Sequence, residues 1–541
     1  MKPAFRFGYS KSLLSGDAGH LVRYLVLLPL VLAAGCAVGP DFKRPDAPRA
    51  NSYAPGGAVT EATSSAPVAA GESQHFDTKA DIPFDWWKLF QSPRINSLIQ
   101  RAFKANPDIE AAQAALKQAQ QNIIAQQGFY FPTVGASYSP SRNKLAGNMG
   151  GNSPGVQGNG NVIQTYSNPA GPAPYNGAAY YNFHVAQLSV GFVPDVFGLN
   201  RRLVESAEAQ KDMQKFQLEA TYITLASNIV AAAVQEASLR AQIAAMEKIV
   251  GINRENLGIV KKQLLLGDVS ELDVALQESA LAQSEQALIP LKKQFEQTRD
   301  LIRALAGNLP NEDVEEKFEL SELHLPQELP LSLPSRIVEQ RPDVRAAEEQ
   351  MHLASAQAGV AIANRLPQFA VTADVGGMAD TPGWMFRSGG GFFNLAASVS
   401  QTIFDGGTLR ARSRAAEQAL IQAGAQYRGT VVSALQNVAD TLYTIQSDAD
   451  MLQAASRTQQ AMLAARDLTR RQFEEGNVSY QVQLLAEQNY QQAVINLIQA
   501  QANRFNDTAA LYQALGGGWW NRSDAATKDG ACDDCKGSVH P

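Results

Sequence analysis

Residues 266–279 read LGDVSELDVALQES, and residues 475–488 read EGNVSYQVQLLAEQ. The second stretch repeats the first at a shift of 209: a glycine, a short turn with Val-Ser, then an apolar-periodic run. Further out, NPDIEAAQAAL at 106–116 returns as RPDVRAAEEQM at 341–351, a shift of 235. Gly267 precedes Leu-Ala-Gly at 305–307 by about forty residues, and Gly476 precedes Leu-Gly-Gly at 515–517 by a similar span. Two copies of over 150 residues each, in the same order, mark a duplicated unit and not a solenoid of short repeats.

Each copy reads helix, strand, loop, strand, then two long helices. Residues 107–127 are rich in Ala and Gln without glycine, a good helix composition. Beyond Pro132 the period changes to two, with Val134, Ala136 and Tyr138 against Gly135, Ser137 and Ser139. His184, Ala186, Leu188, Val190 and Phe192 form a second alternating set. The other copy shows Phe369, Val371, Ala373 and Val375, then Phe393, Leu395, Ala397 and Val399. Strands of roughly ten residues with one apolar face and aromatics near their ends suit a membrane barrel. The stretches 143–181 and 376–391 read as exposed connections.

The helices are the other extreme. Residues 201–264 contain no proline, and 64 helical residues would span about 96 Å. Ile243, Met246, Val250, Leu257, Val260 and Leu264 share one heptad frame, with Asn253 its polar exception. Val274, Leu281, Leu288, Phe295 and Ile302 continue at seven-residue spacing, which specifies helices packed along their length. Pro290 should interrupt and kink the returning helix.

The composition fits this picture. The chain has 541 residues, only 18% of them charged, and a formal net charge of −6. Low charge excludes a charge-rich disordered chain, and the acidic balance provides no global field for nucleic acid. Lys2, Arg6, Lys11 and Arg23 precede LVLLPLVLAA at 25–34, a run too short to span a bilayer. It reads as an export signal, 1–35, ending in LAAGC, and makes Cys36 the candidate lipidated residue.

Four strands cannot close a barrel, and lipid tolerates no open sheet edge. Two copies of the chain would give eight strands, whose lumen side chains mostly fill. Three would give twelve and room for water. A fibrous coiled coil would explain the heptads but not the membrane-length strands.

CAVGPDFKRP at 36–45, DWWKLFQSPRINSLIQRAFKANPDI at 85–109, RPDVRAAE at 341–348, LPQF at 366–369 and IFDGG at 403–407 together resemble the TolC-like outer-membrane factors. VPDVFGLNRR at 193–202 fits the strand-to-helix junction of the same family. The nearest group is its lipoprotein branch, which serves RND-type efflux pumps. The resemblance implies a mostly α fold with a membrane β portion: a homotrimer with a twelve-stranded β-barrel, four strands per chain, continued by a long periplasmic α-helical barrel. It implies an equatorial collar and, as partners, a periplasmic adaptor protein, an inner-membrane RND pump and outer-membrane lipid. It implies no cofactor and no catalytic or metal site. The expected divisions are the signal 1–35, a lipidated segment and collar 36–93, repeats 94–320 and 321–518, and a tail 519–541.

By the same resemblance, the turns at Gly267–Asp268 and Gly476–Asn477–Val478 are helix tips that meet the adaptor, and the second lines the gate. Several relatives carry acidic residues six and nine positions after the second glycine; here these are Val482 and Leu485. The expectation is an apolar constriction with Glu487 the nearest acid. Other chemistry is thin: six scattered His, and a tail pair Cys532 and Cys535 better suited to a local disulfide or an unstructured tail than to zinc. The leading function is the passive outer-membrane exit duct of an RND-type efflux system for small toxic compounds. The alternatives are a duct for type I protein secretion and a non-transporting coiled-coil lipoprotein.

Overall fold

The computed structural model describes residues 37–48, 52–53, 62–144 and 180–522. The export signal, Cys36, Cys532, Cys535 and residues 145–179 of the long connection lie outside them. In chain order the elements are β1 (His75–Asp77), α1 (Pro93–Ala105), α2 (Pro107–Gln127), β2 (Thr133–Lys144), β3 (Tyr180–Phe192), α3 (Leu199–Leu266) and α4 (Glu271–Leu305). The second half continues with β4 (Glu328–Pro330), α5 (Pro334–Gln340), α6 (Pro342–Ala363), β5 (Gln368–Ala379), β6 (Gly391–Ser400), α7 (Thr408–Glu474) and α8 (Tyr480–Ala514).

The two sequence shifts reappear as element boundaries. β2 and β5 differ by 235 at both ends, and α4 and α8 by 209 at both ends. The change from one shift to the other falls between the two strands of each copy, so β2 and β5, and α4 and α8, kept their lengths while a connection changed.

The heptad frames are packed. Val250, Asn253 and Val260 on α3 are buried, and Ile243, Met246, Leu257 and Leu264 are half-buried. Two expectations are corrected. α4 continues through Pro290, which lies among exposed residues where water can satisfy the carbonyl that loses its donor. β5 runs to Ala379 and absorbs Gly376 and Gly377, assigned above to a loop, because β3 and β6 pair with both of them. Pairing on two sides outweighs the poor strand propensity of glycine.

The chain divides into two compact units. Among the described residues, the first comprises 37–43, 120–144, 180–209 and 352–422. Its core element is an antiparallel sheet of order β2-β3-β5-β6, with β2 and β6 as edges.

The second unit comprises, among the described residues, 44–48, 52–53, 62–119, 210–351 and 423–522. Most buried apolar residues gather there into a main core, in which Trp86, Phe90 and Leu98 meet Ile229, Phe318, Leu329, Val438, Phe505 and Tyr512. Trp86 stacks on Tyr512 with centroids 5.2 Å apart. This core forms where the early, middle and late parts of the chain converge. There β1 and β4 pair in parallel, and Gln74 Nε2 donates to Pro326 O and Thr508 Oγ1 at 3.0 Å each. Buried Arg504 adds hydrogen bonds to Thr63 Oγ1 and Glu72 O, at 3.0 and 2.7 Å.

Candidate functional site

The sheet has two chemically different faces. In antiparallel strands directly paired residues point to the same side. One row reads Val134, Val190, Ala373, Leu395 and the next Ala136, Leu188, Val375, Phe393. The row between them, facing the other way, reads Gly135, Ser189, Asp374, Asn394. Large apolar side chains on the first face are open: Phe393 is 84% and Leu395 74% exposed. The imidazole of His184, on that apolar face, has its Nδ1 2.9 Å from Tyr138 Oη and so keeps a polar partner. Among the described residues, one sheet thus combines a bare apolar face, a polar face and two unpaired edges. In lipid each of these needs something: hydrocarbon, water and further strands.

The strand-to-helix junctions are built alike in both copies. Asp195 accepts hydrogen bonds from the Asn200 and Arg201 amides, 2.9 Å each, at the start of α3. Asp405 accepts from Gly407 and Leu409 at 2.8 and 2.6 Å, at the start of α7. These amides hold the Asp405 carboxyl below its ordinary pKa, the Leu409 amide first. The sequence reading named the first junction by resemblance, quoted IFDGG at 403–407 without a structural role, and missed the capping in both.

The other ends of α3 and α7 close identically. Gly267 adopts φ +82° and Gly476 φ +76°. Gly267 N donates to Leu264 O and Asp268 N to Gln263 O, at 3.0 and 2.9 Å. Gly476 N donates to Phe473 O and Asn477 N to Gln472 O, at 2.9 and 2.8 Å. This is a Schellman closure, and the positive φ is why both positions are glycine. Val478 follows on the second turn.

The helices that leave these turns differ. Ser270 and Asp273 form a reciprocal capping box at the start of α4, and the Ser270 hydroxyl lowers the Asp273 pKa. The residue 209 positions on from Asp273 is Val482, so Ser479 has no acid to complete the box and makes no side-chain cap. Val482 is 46% and Leu485 57% exposed. Three residues apart, they share one face of α8.

Glu487 points elsewhere. It accepts from Gln491 Nε2 at 2.8 Å and lies 3.7 Å from Arg466 Nε on α7. The Arg466 guanidinium also sits 4.5 Å from the Tyr490 ring centroid, linking α7 to α8. Thus Val482 and Leu485 lie on one exposed face of α8, while Glu487 is engaged in a helix-to-helix clamp that sequence reasoning missed. Nearby, buried Asn253 receives Gln488 Nε2 at 3.4 Å and donates to Ala280 O at 3.5 Å, joining α3, α4 and α8. Its place as the polar exception in an apolar frame was the signal for this node.

Among the described residues no group of three or more His, Cys, Asp or Glu could hold a metal, and no helix is long and apolar enough to cross a membrane.

These features have counterparts in known proteins. The probable efflux pump outer membrane protein TtgC of Pseudomonas putida is 27% identical over 518 residues, covering 94% of this chain and 99% of its own. The solved outer-membrane channel OprN is 25% identical, with a TM-score of 0.74 over 90% of this chain and 100% of its own. The Campylobacter jejuni outer membrane channel CmeC, 20% identical, shares the fold with a TM-score of 0.76 over 91% of this chain and 97% of its own. The model of the outer membrane efflux protein family matches residues 98–308 and 333–517. With both repeats matched and this sheet between their helices, the chain belongs to the outer membrane efflux protein family.

Proposed function

We propose that this efflux protein acts as a homotrimer, the passive exit duct of a tripartite RND-type system for small toxic compounds. The observation that carries the reading is the sheet: four strands, one apolar face, one polar face and two free edges. Three copies joined edge to edge, β6 to β2, make a twelve-stranded barrel with its polar face on a water-filled lumen. α3, α4, α7 and α8 then continue as a periplasmic helical barrel, and the core around Trp86 and Tyr512 forms its collar. Cys36 carries the lipid anchor. The turns at Gly267–Asp268 and Gly476–Asn477–Val478 meet the periplasmic adaptor, which links them to the inner-membrane pump. Val482 and Leu485 from three copies close the periplasmic end, because an apolar ring expels water. Glu487, held by Arg466, supports that closure from behind. The chain needs no cofactor for this, since transport energy enters through the pump.

Conductance tests the reading. Protein reconstituted in a planar bilayer is expected to pass discrete current steps, with a particle mass of three chains. Inserted trimers that never conduct, or a monomer that inserts alone, would sink it. Leu485→Ser is expected to raise the closed-state conductance, and no change would remove this position from the gate.

A further inference from the structure

At the foot of the sheet lies a cavity of about 530 Å³, within the roughly 300–1,000 Å³ range of small-molecule sites. Phe129, Phe192, Val193, Phe197, Phe369 and Val371 line it. Phe192 and Val371 are a cross-strand pair on the apolar face of the sheet, and Phe197 packs against Phe369 with centroids 6.2 Å apart. Its wall also holds Asp195, but both oxygens of that carboxylate are committed to the α3 amides. The chemistry offered is therefore hydrocarbon-like.

The first described residues of the mature chain end against this wall. Val38 N donates to Phe197 O at 3.1 Å. Ala37 Cα sits 2.6 Å from where a side chain at Gly198 would begin, so only glycine admits it there. The segment is pinned with unusual care for a tether. Buried Arg202 donates from Nε to Val38 O at 3.1 Å and from Nη2 to Gly39 O at 3.4 Å, and pairs with Asp41 at 2.7 Å. Ser355 Oγ donates to Pro40 O at 3.4 Å, and Phe42 stacks on His352 with centroids 4.4 Å apart. A flexible leash would anchor a lipid equally well; a clamped one fixes where the lipid starts.

We propose that this cavity seats an acyl chain carried by Cys36, the residue bonded to Ala37, so that the anchor is also packed into the base of the sheet. The proposal rests on the lipid-anchor reading of Cys36 given above. It gives the CAVGPDFKRP segment a role in delivering the chain to its seat.

The test uses the whole protein in its own membrane. Cells are fed a fatty acid that carries a photoreactive diazirine and an alkyne, irradiated, and the purified trimer is digested. The expected result is a conjugate joining the acyl chain, still attached to peptide 36–43, to residues 126–133, 192–203 or 367–371. The proposal is overturned if peptide 36–43 is lipidated but its conjugates map to the upper strands or to other lipids. It is likewise overturned if the cavity residues are joined only to free phospholipid, or if Ile403 and Phe404 of a second copy occupy the cavity. Peptide 36–43 without an acyl mass would instead remove the anchor reading itself.

Discussion

Asp448 on α7 and Asp507 on α8 bring two carboxyl groups together, with Arg504 beside them. Burial first, and then the hydrogen bond and charge of Asp507, raise the Asp448 pKa above the ordinary carboxylate range. The folded chain therefore keeps a proton that the unfolded chain releases from about pH 4 upward. The stability from this pair is fully present below that pH and is lost as pH rises through the folded pKa. Asp448→Asn is expected to raise the melting temperature more at pH 8 than at pH 5. Thermal unfolding at the two pH values checks it, and an equal shift at both would show that the pair is not protonated in the fold. Nothing in the sequence marked these residues, since they lie far apart in the chain and match no motif. Asn253 is the opposite case: its polarity inside an apolar frame announced a special position, and the structure supplied its three-helix role.

At the scale of elements, α4 and α8 have the same length and the same place in their copies, yet start differently. The capping box of Ser270 and Asp273 gives the first amides of α4 side-chain acceptors, whereas Ser479 makes no side-chain cap on α8. Val482→Asp is expected to restore the box with Ser479 and to stabilise the first turn of α8 by about 1 kcal/mol. Hydrogen exchange of the 480–484 amides should slow accordingly, with the α4 amides unchanged as the internal control. Retention of Val482 at the cost of a cap agrees with a role for its apolar side chain, the role proposed at the gate. The repeat was legible because turn glycines, caps and heptads are local: each depends on a few neighbouring residues. β5 was read too short because its end depends on β3 and β6, which are distant in sequence.

For the whole molecule, the two faces of the sheet make opposite demands. Leu395→Lys puts a charge on the apolar face and is expected to cost about 2–4 kcal/mol at mid-bilayer depth, lowering yield in the outer membrane. Ser398→Lys, three residues along on the polar face, is expected to insert normally and shift the conductance toward anions. Outer-membrane fractionation and reversal potentials check the pair; a Leu395→Lys chain that inserts as well as Ser398→Lys would reverse the assignment of faces.

The sequence by itself determined the duplication, the strand faces, the long helices and their turns, because periodicity and glycine placement act over a few residues. Tertiary structure alone decided what those elements do together. It gathered Trp86, Phe318 and Tyr512 into a core, turned Glu487 away from Val482 and Leu485 toward Arg466, and brought Ala37 to the wall of an aromatic cavity. The reason is the same in each case: these are contacts between residues tens to hundreds of positions apart, formed only when packing brings them together.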